Sequence, residues 1–321
     1  TVLRLLVIGA GVALGLFLWP NSPQRFELRA RFPAGTYHYT SSCSYKHNLK
    51  VGERTESRSA RTSMDYRVSV PPTPPGQPRE SRLNFERLKM NIEGKTLDTE
   101  RPQSVPSLGG VGPRLMDILQ ETIHSEITFE LGANGEVSRV EGLADMKRRL
   151  SRTVVGRSLA RSMGLASERL MVEELLMVGR RALPSEPLPL GSHWKREFAV
   201  RMPVIGSVHQ KWDCIFKMIV GENLQVIFDN MVEVEDIGRI SYGTTIAEVY
   251  GADLIFSGQI SVDRLSGMAV MQDCYTEGPV DMTIRIDGEK RGARLELKAE
   301  EVIELQSYDP GGKQSANSRV P

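Results

Sequence analysis

Cysteine is scarce in this chain. Its 321 residues contain only Cys43, Cys214 and Cys274, too few for a disulfide-scaffolded mini-domain. Either one disulfide, such as Cys43–Cys214, with a free thiol, or three buried thiols, fits that number. A majority of charge of one sign is also lacking: 41 basic side chains face 40 acidic ones, so no global field selects an anionic partner. With no excess of Lys and Arg and no zinc-finger or RNP spacing, nucleic acid is not an expected partner. The five histidines are scattered, and G-x-S-x-G, H-E-x-x-H and G-x-x-x-x-G-K-[ST] are all missing. No catalytic residue, cofactor or enzyme activity is therefore expected. The glycine cluster GGVGP (109–113) follows RPQSVPSL, which is no strand, so a phosphate loop lacks its context. The absence of an Asn-x-Ser/Thr sequon fits a bacterial exported protein.

Long apolar runs are missing too, with one exception. Residues 5–19 carry no charge and end in LFLWPNSP. A helix of that length rises only about 22 Å against roughly 30 Å of bilayer hydrocarbon, short for a span and ordinary for a secretory core. The run lacks the small-residue ending of a cleavable signal and has no lipoprotein cysteine behind it, while Trp19 stands where an interfacial aromatic stands. An uncleaved anchor over residues 1–24 is the expectation, with a cleaved signal as the alternative. Because Thr1 is not a Met, residues before it are expected, and they would lengthen the span. The expected location is the bacterial inner membrane, with the domain in the periplasm.

What is plentiful is alternation. KWDCIFKMIV puts Trp212, Cys214, Phe216, Met218 and Val220 on one face, with Lys211, Asp213 and Lys217 on the other. Strands are predicted over 36–51, 62–70, 81–93, 125–131, 193–202, 223–235, 244–250, 252–264, 267–275, 279–287 and 293–305. Hairpin turns are predicted at Asn134-Gly135 and Asp287-Gly288. Such short links favour an antiparallel meander. PPTPPGQP (71–78) reads as an extended loop, and LPSEPLPLG (183–191) as a stiff connector.

Helical spacing interrupts the strands in three places: 112–122, a block from Gly142 with Leu143, Met146, Leu150 and Val154 on one stripe, and 167–182. The expected class is α+β, mostly antiparallel β, with curved sheets from two strand-rich halves and helices packed across them. The halves are 25–182, with helices in 142–182, and 183–306, before a disordered tail over 307–321. A duplication is suggested by GTYHYTSSCSYK (35–46) against GSVHQKWDCIFK (206–217), and by VSRVEG (137–142) against VDRLSG (262–267).

The repeated His and Cys invite a zinc reading, but His38 and Cys43 are an odd number of positions apart, as are His209 and Cys214. On a regular strand each pair faces opposite ways, so no metal is expected. Two sets of candidate site residues remain. Met146, Met171, Leu175, Trp212, Phe216 and Met218 form an apolar set that lines either a ligand cup or a core. Arg148, Arg149, Arg152 and Arg157 form a basic helix face suited to anionic headgroups or an acidic partner, or simply to solvent.

FPAGTYHYTSS, LGANGEVSRVEG and LPSEPLPLGSHWKREF together resemble an uncharacterised family of exported bacterial envelope proteins. Gly135, Val137, Val140, Gly142, Leu183, Pro184, Gly191 and Trp194 carry the resemblance. It implies a location rather than a reaction. The curved sheet crossed by helices is also similar, in architecture alone, to periplasmic lipid and lipoprotein carriers. The leading expectation is a non-catalytic, membrane-anchored accessory or structural subunit of an envelope complex. The alternative is a binding module that carries a lipid or acyl chain.

Overall fold

Period-two patterning carries most of the chain into strands, many far longer than the usual five or six residues. The computed structural model describes residues 24–74, 76–92, 94–103, 112–132, 135–152, 168–202, 206–242, 245–286 and 289–310. A two-residue strand β1 (Arg25–Phe26) is followed by β2 (Gly35–Val51), β3 (Arg54–Val70), β4 (Arg79–Ile92) and β5 (Lys95–Asp98). Helix α1 (Gly112–Ile123) precedes β6 (Glu126–Leu131) and β7 (Val137–Glu141). Helices α2 (Leu143–Leu150) and α3 (Glu168–Leu175) follow, then a 3₁₀ turn (Val178–Ala182). The remainder is β8 (Leu188–Pro189), β9 (His193–Met202), β10 (Gly206–Val220), β11 (Asn223–Tyr242), β12 (Thr245–Asp263), β13 (Ala269–Ile286) and β14 (Glu289–Asp309).

The large sheet is antiparallel and ordered β7-β6-β4-β3-β2-β14-β13-β12-β11-β10-β9, with β5 on β4. β1 and β8 form a separate ribbon. The first and second strand runs meet where β2 pairs β14, from Thr36↔Asp309 to Val51↔Ala293. They thus make one continuous surface. Right-handed twist accumulated over so many strands curls the sheet, and α3 touches both of its edges, β7 and β9. Covering those edges shields unpaired backbone from other chains.

The inner face is aromatic. Trp212 stacks on Phe228 at 4.3 Å between ring centroids, and Tyr39 on Tyr66 at 5.5 Å. Trp212, Phe216, Phe228, Tyr37 and Tyr66 have no solvent exposure. Among the described residues, two chain segments pack on this face. One is α3 with the 3₁₀ turn, which buries Val172, Leu176, Met177 and Val178. The other is the stretch before β2, which buries Phe26, Leu28, Ala30 and Phe32. A smaller cluster of Leu88, Leu97, Met116 and Leu119 seats α1 on β4 and β5.

The predicted breaks around Gly251 and Pro279 are not breaks: β12 passes Gly251 with a register shift, and β13 stays paired with β14 through Gly278 and Pro279. Gly278 adopts φ 144°, and a Cβ there would meet the Asp253 carbonyl oxygen at 2.0 Å. Only glycine fits, and it lets the strand bend without ending. The helix expected over 167–182 ends at Leu175, and Met177, whose φ is 64°, separates it from the 3₁₀ turn. Ser307, Tyr308 and Asp309, expected in the tail, instead pair with His38, Tyr37 and Thr36; residues 311–321 lie outside the described residues.

The duplication fails its topological test. Val137–Glu141 is the edge strand β7, four places from β2 along the sheet, whereas Val262 ends β12, two places from β10. The two motifs therefore fall at unrelated places in the sheet. The expected anchor, apart from Gln24, lies outside the described residues. Among those described, no helix is long and apolar enough to cross a membrane.

Candidate functional site

The sequence-derived apolar set divides. Met146, Trp212 and Phe216 are buried core residues. Met171 and Leu175 are half-buried against that core. Met218 is 38% exposed, because the register shifts between Phe216 and Met218 and turns the strand by one residue. The expected face therefore holds from Trp212 to Phe216 and fails beyond. Two members of the basic set are paired. Arg148 pairs with Asp145 at 2.6 Å and Arg149 with Glu121 at 3.3 Å. Arg152 is exposed, and Arg157 lies outside the described residues.

All three cysteines are free thiols. Burial pushes Cys214 up to about 12 and Cys274 well above its ordinary value, so neither supplies a thiolate near neutral pH. His38 and Cys43 differ in setting, His38 lying toward Glu86 at 3.4 Å on the solvent side. Among the described residues no group of three or more His, Cys, Asp or Glu is placed to hold a metal ion.

A concentration of buried charge lies at the plug formed by α3 and the 3₁₀ turn. Glu173 of α3 is only 1% exposed, with Arg169 Nε at 2.9 Å and Arg181 Nη1 at 2.8 Å. Arg169 is one helical turn back and solvent-facing, while Arg181 reaches round from the 3₁₀ turn and lies over the Phe198 ring at 4.5 Å. Two guanidinium groups thus compensate one buried carboxylate. Helix ends leave carbonyls unpaired, and β9 supplies their donors: Trp194 Nε1 donates to Ala182 at 2.6 Å and Arg196 Nη2 to Leu183 at 3.0 Å.

Arg180 is the exception. It is 8% exposed, donates through Nη1 to the Gly135 carbonyl, and sits 5.5 Å from the centroid of the Phe32 ring. Burial pulls its pKa down to about 10, with Glu173 opposing; it remains a cation at pH 7. Its Nε and Nη2, and Nε of Arg196, are buried with no hydrogen-bond partner among the described residues. The Arg180 and Arg196 side chains line a cleft of about 470 Å³ to which Arg29, Arg169 and Arg181 also contribute, with the three unpartnered nitrogens closed off from solvent behind its wall. Glu136, Glu173 and Glu197 are its acidic members.

Sequence reading missed this cleft because its residues come from four separated segments. One signal was available: RFELRARF (25–32) alternates apolar and charged residues, and that alternation threads Phe26, Leu28, Ala30 and Phe32 inward.

The fold and cleft define a class, a curled antiparallel sheet plugged by its own helix and leading strand. Neither a family model nor a curated protein matches the sequence. Among solved structures the chain is similar to DynF from the dynemicin biosynthesis pathway of Micromonospora chersina, at 8% identity and TM-score 0.18, covering 88% of this chain and 85% of that one. It is similar to a putative outer membrane lipoprotein-sorting protein domain from Vibrio parahaemolyticus, at 11% identity and TM-score 0.14, with 86% and 87% covered. An outer membrane channel from Pseudomonas putida F1 gives 6% identity and TM-score 0.19, with 86% and 97% covered. Likenesses at this level carry no argument, and the functional reading rests on the chain's own geometry.

Proposed function

We propose that this protein is a non-catalytic accessory subunit of the bacterial cell envelope, held to the inner membrane by its N-terminal segment with the sheet in the periplasm. The observation that carries the reading is the occupied inner face. A carrier presents an empty cup to its cargo, whereas here Met177, Val178 and Phe32 are buried in one cluster with Tyr66 and Phe228 on the described part of that face. The charge-free run at residues 5–19 supports the tether, which restricts shuttling between membranes.

The lipid-carrier alternative keeps one supporting observation. Beneath the plug lie the stacked rings of Tyr39 and Tyr66 and of Trp212 and Phe228, so its withdrawal would bare an aromatic surface. Carbonate extraction, cross-linking in native membranes and lipid analysis of the purified chain separate the two. Retention in the membrane with a reproducible cross-linked protein partner is the expected result. One equivalent of co-purified lipid with no protein partner would overturn it in favour of the carrier.

A further inference from the structure

We propose that the cleft between the 3₁₀ turn and β9 binds the phosphate group of a phosphate ester, with Arg180 and Arg196 as its receptors. This inference is independent of the accessory-subunit reading. Guanidinium groups taken out of water need acceptors for their donors. Arg180 has one acceptor, the Gly135 carbonyl, opposite Nη1. The vacant pair, Nε and Nη2, is the side-on fork of the guanidinium, the edge that matches two oxygens of one oxyanion. Arg196 repeats the pattern, with Nη2 on the Leu183 carbonyl and Nε vacant. The carboxylate best placed to neutralise them, Glu173, is already held by Arg169 and Arg181.

Two cations without an ion-pair partner among the described residues, and three vacant donors just behind the wall of one cleft, within reach of a side-chain rotation, suit a group with at least three oxygens and up to two negative charges. A phosphate meets that description and a carboxylate does not. The cleft, about 470 Å³, has room for a phosphate and its ester substituent. A free phosphate ester and a phospholipid headgroup share this chemistry.

The test is calorimetric titration of the full chain in detergent at pH 7 and constant ionic strength. One arm uses inorganic phosphate and the other dihexanoyl phosphatidate. Saturable one-to-one binding is expected, weakened at least tenfold by Arg180→Lys, which keeps the charge but loses the fork, and by Arg196→Gln. Arg148→Gln, on the paired helix face, should bind as wild type. Circular dichroism checks that each variant keeps its sheet; if Arg180→Lys does not fold, the half-exposed Arg196→Gln decides. Phosphatidate binding tenfold tighter than phosphate supports a headgroup, and equal or weaker binding supports a soluble ester. No saturable binding in either arm, or binding unchanged in the cleft variants, would overturn the proposal.

Discussion

The backbone N–H of Gly179 donates to Oε1 of Gln272 at 2.6 Å, tying the 3₁₀ turn to β13. Gln272 has no solvent exposure, so this bond is made in a low-dielectric setting where leaving it unmade is costly. Gly179 also has no room to grow. A Cβ would stand 2.9 Å from Gln272 Oε1, 3.0 Å from a Phe228 ring carbon and 3.3 Å from Ile260 Cβ. Gly179→Ala is expected to destabilise by about 1–3 kcal/mol, the range for overpacking a filled core. Urea melts measure it, and a stability equal to wild type would show that the plug is loosely seated.

The bulge after Phe216 makes two neighbours on one strand behave differently. Trp212 is fully buried between Phe198, Phe228 and Phe256, and Trp212→Ala should cost about 3–5 kcal/mol. Met218 faces outward, and Met218→Ala should stay within about 0.5 kcal/mol. Equal losses at both positions would mean that the alternation runs on unbroken.

Glu173 and its two arginines are unequal partners. Glu173→Ala strands buried positive charge and should cost about 3–5 kcal/mol. Arg169→Ala removes a half-exposed partner, and a loss below about 1 kcal/mol is expected. A double-mutant cycle over Glu173 and Arg181 should return a coupling larger than the cycle over Glu173 and Arg169.

Acid sensitivity has a named contributor at the α1 end of the sheet. Asp98 receives two bonds from Arg87, at 2.6 and 3.1 Å, and that hydrogen-bonded cation holds its carboxyl below the usual range. A carboxylate whose folded pKa is depressed adds stability that is complete above its unfolded pKa of about 3.9 and fades as pH falls through the lower folded value. Asp98→Asn should therefore lower the melting temperature at pH 7 and flatten its decline below about pH 4. An identical acid profile in the variant would assign the sensitivity elsewhere.

Thiol chemistry should follow burial. Cys43 is half-buried, Cys214 and Cys274 are buried, and the last two are held as neutral thiols. A thiol reagent at pH 8 should modify Cys43 first and reach the other two only on unfolding, as peptide mapping will show.

Much of the fold was legible because a strand records its faces locally. The alternation around Trp212 and the limits of α1, expected at 112–122 and found at Gly112–Ile123, needed no distant partner. The position of Met218 was not legible, since one extra residue in a strand leaves the composition unchanged while reversing every later side chain. Burial of Glu173 was hidden for a similar reason. In sequence it belongs with Glu168 and Glu174 as an acidic helix start, and only Arg181, beyond the break at Met177, makes its burial tolerable.

By itself the sequence determined which residues alternate, where chain reversals fall, and that one apolar run stands apart at the N-terminus. These follow from period, turn chemistry and length, which act over a few residues. Only the tertiary structure decided that both strand runs form one sheet, that the helix and leading segment pack on its inner face, and that Arg180 and Arg196 share a cleft. Those outcomes depend on the accumulated twist of a long sheet bringing residues about 150 positions apart, such as Ala30 and Arg180, to the same wall, a distance over which local patterning carries no information.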